Sequence, residues 1–148
     1  MSDATMTLQD AVSDIMSTPV VTVEMDDSLR EVRHIFANTH FHHLLVAEEQ
    51  RLVGILSDRD LFKAISPRSG TPVESSADAA LLNKKVHQIM TRKPITVADT
   101  DNIGDAWTVL EQHGLSCLPV VNAKGAPVGI ISWRDILAAA RTIIRDHD

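Results

Sequence analysis

The sequence predicts a mixed α/β (α+β) fold made of two pseudo-symmetric β-α-β-β-α repeats, and three observations support this prediction. First, residues 16–23 (MSTPVVTV) align with residues 90–97 (MTRKPITV) at an offset of 74. Second, residues 53–60 (VGILSDRD) align with residues 128–135 (VGIISWRD) at an offset of 75. Third, the prolines and glycine of residues 66–72 (SPRSGTP) break regular structure between the copies. Self-similarity of this kind indicates a duplicated structural unit.

Each repeat is predicted to contain a strand, a helix, a β-hairpin and a second helix. The first helix begins at Ser28, because Glu31 three residues later completes the pattern of a capping box. Two apolar runs separated by the polar residues 48–51 are typical of a hairpin. The predicted strands are residues 20–23, 44–47, 52–56, 95–97, 117–121 and 127–131. The predicted helices begin at Ser28, Ser57, Asn102 and Ser132, and those from Ser57 and Asn102 run to about Ile65 and Gln112.

The repeats and the break between them predict four segments along the chain. These are an N-terminal segment (1–9), the first repeat (10–66), a linker (67–85) and the second repeat (86–146). Residues 77–82 are expected to form a short helix inside the linker. The final helix is expected to pack against the fold, because its apolar residues recur at helical spacing.

Composition and charge argue against several classes of function. Aromatic residues make up only 3% of the chain, with no tyrosine, which argues against the stacking platforms that bind single-stranded nucleic acid. The formal charge of −6 opposes binding to phosphate backbones and anionic membranes. The N-terminus lacks the features of a signal peptide, and no apolar run approaches the roughly 20 residues that cross a bilayer. We therefore expect a cytoplasmic protein with no nucleic-acid or membrane partner.

A serine and an aspartate recur at the start of the second helix of each repeat. Ser57 precedes Asp60 by three residues, and Ser132 precedes Asp135 in the same way, with an arginine in between. A phosphate here would meet a hydroxyl, backbone N–H groups and the arginine, and the carboxylate could accept hydrogen bonds from ribose hydroxyls. The same pattern also describes a helix cap without a ligand, but its duplication favours a binding site.

These motifs resemble a tandem pair of cystathionine-β-synthase (CBS) domains, often called a Bateman module. The resemblance covers residues 10–146 and rests on GILSDRD (54–60), GIISWRD (129–135) and LPVV (118–121), together with the two aligned segments that begin at methionine. It implies that two CBS repeats pack through their sheets into one Bateman module. It also implies clefts between the paired repeats that bind adenosine-containing ligands such as AMP, ADP, ATP or S-adenosylmethionine.

The resemblance assigns ligand contacts to further residues. Backbone groups before the first strand of each repeat would lie against the adenine, and the two residues before each Leu-x-Val run would face the phosphates, where His43 would supply a positive charge. The family's proline is present as Pro119 but replaced by Leu45 in the first repeat, which bears on the shape of the first site. The predicted ligand-binding residues are Thr18, Val20, Val21, His42, His43, Ser57, Arg59, Asp60, Lys93, Pro94, Ile95, Ser116, Cys117, Pro119, Ser132, Arg134 and Asp135.

The leading hypothesis is a noncatalytic regulatory or sensor module whose ligand changes the shape of a homodimer or its affinity for a target protein. A homodimer is expected because the apolar stripes of helices 29–36 and 103–110 would need cover. The chain has no Walker-type phosphate loop and no recognised nucleophile motif, so we expect neither enzymatic activity nor a catalytic cofactor.

Two alternatives remain open from the sequence. The first is a structural dimerisation or scaffold module that binds no ligand. The second is a metal-binding protein, suggested by a group of histidines but disfavoured because no thiolates or carboxylates complete a closed site. Cys117 is the only cysteine, so it is expected to be a small core residue outside any disulfide. The histidines in question are His34, His40, His42 and His43.

Overall fold

The computed structural model describes residues 5–147, which form two compact units. The first unit is Val21–Pro94, and the second combines the chain from Ile95 onward with the chain up to Val20. Each unit therefore contains most of one repeat together with the first residues of the other repeat. Within the described residues, no helix is both long enough and apolar enough to cross a membrane.

The first unit contains a four-stranded sheet and three α-helices. Its elements are β1 (Thr22–Val23), α1 (Leu29–Ala37), β2 (His43–Glu48), β3 (Arg51–Ser57), α2 (Asp58–Ala64), α3 (Ser76–Leu81) and β4 (Thr91–Arg92). The strands lie in the order β1-β2-β3-β4. The β1–β2 pair is parallel, and the other two pairs are antiparallel. Helix α2 follows β3 without a loop, so the serine that ends the strand also caps the helix.

The second unit repeats this arrangement with a three-stranded sheet. Its elements are β5 (Val97–Ala98), α4 (Ile103–His113), β6 (Cys117–Val121), β7 (Pro127–Ser132) and α5 (Trp133–Asp146). The strand order is β5-β6-β7, with β5 parallel to β6 and β6 antiparallel to β7. Helix α5 has 14 residues where α2 has 7, because its apolar periodicity continues to the C-terminus.

The structure confirms the predicted mixed fold and the order of the predicted elements, with small shifts at their ends. The first strand of each repeat was predicted to begin at Val20 and Ile95, but pairing begins later. Only Thr22 and Val23 pair with β2, and only Val97 and Ala98 pair with β6. The predicted strands began too early because an apolar, β-branched residue does not form a strand without a partner.

The first residues of each repeat pair with the hairpin of the other repeat, which the sequence did not predict. The Ser17 N–H donates to the Ile130 carbonyl over 2.8 Å, and the Ile130 N–H donates back over 3.1 Å. Thr91 of β4 pairs with Ile55 of β3 at the corresponding position. Both hairpins therefore gain an additional edge partner, and in the second unit this pairing brings Ser17 close to the start of α5.

Each unit buries its own apolar cluster, and α1 and α4 pack against these clusters. Leu29 of α1 is fully buried, as are Ile103 and Leu110 of α4. The expectation that these stripes need cover from a second copy is therefore wrong, since the core of their own unit covers them. The large exposed apolar side chains include Phe62 on α2 and Leu137 on α5, which occupy the same repeat position and are both 64% exposed.

Candidate functional site

The predicted ligand-binding residues divide between the two units. The first unit holds Val21, His42, His43, Ser57, Arg59, Asp60, Lys93 and Pro94. The second unit holds Thr18, Val20, Ile95, Ser116, Cys117, Pro119, Ser132, Arg134 and Asp135. Each unit thus contains one complete serine–aspartate motif. Some of the other predicted ligand-binding residues in each unit belong to the first residues of the other repeat: Lys93 and Pro94 in the first unit, and Thr18 and Val20 in the second.

In the first unit the serine–aspartate motif caps helix α2. The Ser57 Oγ accepts a hydrogen bond from the Asp60 N–H over 3.1 Å, and Asp60 Oδ2 accepts one from the Ser57 N–H over 2.8 Å. The motif is therefore a capping box. The cap uses only one carboxylate oxygen of Asp60. The other oxygen remains able to accept hydrogen bonds from the hydroxyls of a ligand.

In the second unit the same box is present, but the aspartate has an additional partner. The Ser132 N–H donates to Asp135 Oδ2 over 2.9 Å. Ser17 Oγ lies 3.0 Å from Asp135 Oδ1 and 3.2 Å from Oδ2, so its hydroxyl can donate to either oxygen. The predicted site included Thr18 but not Ser17. The signal was present, because Ser17 and Thr91 are hydroxyl residues at the same position of the two aligned segments.

The two histidines of the first unit differ in environment. His42 is 77% exposed, and its Nδ1 lies 2.9 Å from Asp58 Oδ2. The Asp58 N–H also donates to the His42 carbonyl over 3.0 Å, which fixes the loop against the start of α2. His43 begins β2 and is half-buried. Burial lowers the pKa of His43, and the nearby Asp58 carboxylate opposes this only in part. His43 is therefore mainly neutral at pH 7.

Ser116 and Cys117 occupy the equivalent positions in the second unit. The Ser116 carbonyl accepts a hydrogen bond from the Trp133 N–H over 3.2 Å, as the His42 carbonyl does from Asp58. Cys117 was predicted to be a small core residue, but it is only half-buried and does not belong to the buried core cluster of its unit. This partial burial still raises the pKa of its thiol to about 11. The thiol is therefore protonated at neutral pH, and neither Ser116 nor Cys117 supplies a charge to a ligand.

The exchange of Leu45 for Pro119 changes a backbone hydrogen bond beside the predicted adenine position. In the first unit the Leu45 N–H donates to the Val21 carbonyl over 3.1 Å. In the second unit Pro119 has no N–H, so it cannot donate to the corresponding carbonyl of Ile95. Pro119 itself is buried in β6 opposite Ile130, so it would affect a ligand through the backbone and not through contact with its side chain.

The arginines and the lysine of the predicted site lie at the surface. Arg59 and Arg134 are exposed in the first turns of α2 and α5. Lys93 is exposed as well, and its N–H donates to the Val53 carbonyl over 3.3 Å. Among the described residues, none of these three cations has a carboxylate oxygen within 4.0 Å.

The units also differ where the first helix ends near the start of the second. In the first unit a cavity of about 310 Å³ lies between the end of α1, the following loop and the start of α2. In the second unit the equivalent place is a more open depression of about 400 Å³ beside Trp133. The rings of Trp107 and Trp133 meet edge to face with centroids 6.1 Å apart, and Trp133 Nε1 donates to the Leu115 carbonyl over 3.0 Å.

The family comparison identifies the repeats. The family model of the CBS domain matches residues 12–67 and 86–142. The chain belongs to the CBS domain family. The resemblance inferred from the duplicated motifs is thereby confirmed.

The relatives include both longer enzymes and proteins of similar size to this CBS pair. A homoserine O-acetyltransferase from Methanococcus vannielii is 26% identical over 126 residues, which are 84% of this chain but 24% of that enzyme. This chain spans about a quarter of the length of such relatives. CBSX2 from Arabidopsis thaliana, solved in complex with AMP, is 27% identical with a TM-score of 0.74, covering 91% of this chain and 98% of that one.

A second solved structure carries different adenosyl ligands. The CBS domain pair of protein MJ0100, in complex with 5'-methylthioadenosine and S-adenosyl-L-methionine, is 27% identical with a TM-score of 0.71. The match covers 89% of this chain and 96% of that one. Both structures consist almost entirely of a CBS pair.

The histidines suggested by the metal hypothesis do not converge. His34 and His40 are exposed, and His42 is paired with Asp58. Among residues 5–147, no group of three or more His, Cys, Asp or Glu side chains is arranged to hold a metal ion.

Proposed function

We propose that this CBS pair is a noncatalytic regulatory module that binds an adenosine-containing ligand: AMP, ADP, ATP or S-adenosylmethionine. The observation that carries the proposal is the duplicated capping box, which places an aspartate and a serine at the same helix start in both units. The adenosyl ligands of CBSX2 and of the MJ0100 pair support the ligand class. Ligand binding would alter the shape of a homodimer or its affinity for a target protein.

Each proposed site divides the ligand among three sets of groups. The Asp60 and Asp135 carboxylates accept hydrogen bonds from the ribose hydroxyls, and the serine hydroxyls and adjacent arginines meet the phosphates. The residues before the first strand of each repeat supply backbone groups near the adenine, and the two residues before each Leu-x-Val run face the phosphates. At the second unit the Ile95 carbonyl is available to accept a hydrogen bond from an adenine amine, because Pro119 has no N–H to donate to it. At the first unit the Val21 carbonyl already accepts from Leu45.

Calorimetric titration of the four ligands against the wild type, Asp60→Asn and Asp135→Asn tests the proposal. Asparagine retains a side-chain oxygen for the cap but removes the charge that strengthens the ribose hydrogen bonds. Hydrogen bonds to charged groups contribute about 1.5–3 kcal/mol, so each variant should lose at least about tenfold in affinity at one site. Asp105→Asn is the matched control, because Asp105 closes the same kind of box with Asn102 on α4, outside the predicted site.

Two outcomes would count against this assignment. If both site variants retained wild-type stoichiometry and affinity, the aspartates would be caps only. If none of the four ligands raised the thermal midpoint of the wild type, the scaffold alternative would be favoured, since a ligand that binds the native state stabilises it. If an assay with ATP gave product in proportion to the protein concentration, the claim that the module is noncatalytic would be contradicted.

We also propose a homodimer formed through α5. Leu137 and Ile144 are 64% and 66% exposed and lie seven residues apart, on one face of the helix. Such a surface on a regular helix favours association with a second copy. Light scattering at micromolar concentration should give a dimer mass for the wild type and a monomer mass for Leu137→Ser/Ile144→Ser. A monomeric wild type would contradict this part of the proposal without affecting the ligand sites.

A further inference from the structure

The cavity of the first unit concentrates the aromatic side chains of that unit. Its volume of about 310 Å³ lies at the lower end of the range for small-molecule sites, about 300–1,000 Å³. The chain has three phenylalanines and no tyrosine, and all three phenylalanines, Phe36, Phe41 and Phe62, line this cavity. Phe62 is 64% exposed, so its ring is accessible to a molecule that enters the cavity.

One cation lines the same cavity without a carboxylate partner. Arg33 is half-buried at its wall, and among the described residues no carboxylate oxygen lies within 4.0 Å of its guanidinium. A Cβ added to Gly70 would lie 2.6 Å from Arg33 Nη1, so the linker turn packs directly against the guanidinium and limits its motion. The Asp58 carboxylate, the acidic group of the cavity, is already paired with His42.

The second unit provides an internal comparison. Trp107 stands at the repeat position of Arg33, and Trp133 stands at that of Asp58. The two positions that carry charged side chains in the first unit therefore carry two tryptophans in the second. The depression at this place in the second unit is more open, and no arginine lines it. The combination of a cation with phenylalanine walls is a property of the first unit.

We propose that this cavity binds a small organic carboxylate with an aromatic or branched apolar body, at one site per chain. The cavity adjoins the proposed adenosine site of the first unit, because His42 lines the cavity and is also placed at the phosphates of that site. The apolar body packs among Phe36, Phe41 and Phe62, and the carboxylate forms a bidentate pair with Arg33. A guanidinium held beside apolar walls favours this class over a neutral apolar molecule, because a neutral ligand would leave the cation without a partner. The proposal does not depend on the proposed adenosine sites.

Titration with phenylacetate, followed by calorimetry, tests the proposal on the full chain. We expect saturation at one equivalent per chain, and benzyl alcohol of similar size should bind at least tenfold more weakly. Arg33→Met should reduce the affinity for phenylacetate at least tenfold. Arg30→Met is the matched control, because Arg30 is exposed on the same helix and does not line the cavity.

Two further variants test whether phenylacetate occupies this cavity and not the adenosine site of the same unit. Phe62→Ser should weaken phenylacetate binding with little effect on folding, since the side chain is mostly exposed. Asp60→Asn, which alters the adenosine site, should leave phenylacetate binding unchanged. Equal binding by the wild type and Arg33→Met would overturn the proposal. So would binding that disappears as rising protein concentration favours the dimer, which would mean that a second copy covers the cavity.

Discussion

The two units have the same framework but differ in the groups around it. Both have a capping box where the hairpin ends and the second helix begins. Both also contain the first residues of the other repeat. In the first unit Asp60 is engaged only by its cap, whereas Ser17 contacts both oxygens of Asp135 in the second. Duplication therefore preserved the structural role of the aspartate, while the neighbours that control its availability diverged.

The divergence extends to pairs of positions that change together. Arg33 and Asp58 in the first unit correspond to Trp107 and Trp133 in the second. An edge-to-face aromatic pair contributes about 0.5–1.5 kcal/mol beyond the area that it buries, so the second unit gains stability where the first retains charge and a cavity. The same pair of positions therefore lines a cavity in the first unit and forms an aromatic contact in the second.

The largest effect is expected at the glycine shared by both hairpins. A Cβ on Gly54 would lie 2.6 Å from Met90 Sδ and 3.0 Å from the Thr91 carbonyl oxygen, whereas the three atoms nearest to one on Gly129 all belong to the side chain of Met16. Overpacking costs about 1–3 kcal/mol. Because a methionine can move and a paired strand cannot, Gly54→Ala should destabilise more than Gly129→Ala in chemical denaturation. Equal losses would show that the pairing of β4 is as adaptable as the side chains.

A smaller effect is expected from a buried carboxylate in the linker of the first unit. Asp78 is 5% exposed, and its pKa is lowered to about 2, first by the Ser75 N–H, then by the Ser66 hydroxyl, with a further contribution from Arg68. A lowered folded-state pKa stabilises the fold above the unfolded pKa of about 3.9, and this contribution is lost as the pH falls toward 2. Asp78→Asn should therefore lower the urea midpoint at pH 7 and differ little from the wild type near pH 2.

The matched control for Asp78 lies in the second unit. Asp105 closes the same kind of capping box but is exposed, so Asp105→Asn should change the midpoint less at pH 7. A loss for Asp78→Asn that persisted undiminished at pH 2 would show that its packing matters and its charge does not.

Ser17 provides the next comparison, through ligand binding. A ribose at Asp135 must compete with the Ser17 hydroxyl, whereas Asp60 faces no such competitor among the described hydrogen bonds. Ser17→Ala should therefore raise the affinity of the second unit for AMP, by up to about tenfold given the strength of hydrogen bonds to a charged group. Thr91→Ala, at the same repeat position, should leave the first unit unchanged. A decrease with Ser17→Ala would show that Ser17 orients the carboxylate for the ligand.

The sequence predicted the framework because the framework rests on local signals. The helix caps, the hairpin patterns and the apolar stripes each lie within about ten residues, and the structure confirms them except for one half of the box predicted at Ser28. There the Ser28 Oγ accepts a hydrogen bond from the Glu31 N–H, but among the described hydrogen bonds the Glu31 side chain accepts none from the Ser28 N–H. The pairing of Ser17 with Ile130 and its contact with Asp135 join residues more than 100 positions apart, so no local pattern encodes them. The aligned repeats already show that Arg33 and Asp58 are replaced by two tryptophans in the second repeat. That the first pair lines a cavity could be seen only in the structure. The ligand contacts of the site residues remain predictions.

The smallest expected effect concerns the one position at which both units shift a pKa. His43 and Cys117 occupy the same repeat position, and burial disfavours the charged form of each: it lowers the pKa of His43 and raises that of Cys117 to about 11. The positive charge predicted for His43 should therefore appear only at a pH below the ordinary pKa range of histidine. The affinity of the first unit for ATP should then rise on acidification to pH 5.5, but it should change little between pH 7 and 8. Calorimetry with His43→Asn should abolish the acidic rise, while Cys117→Ser should leave it intact. A wild-type affinity that already falls steeply between pH 7 and 8 would mean that bound phosphate, not burial, determines the protonation of His43.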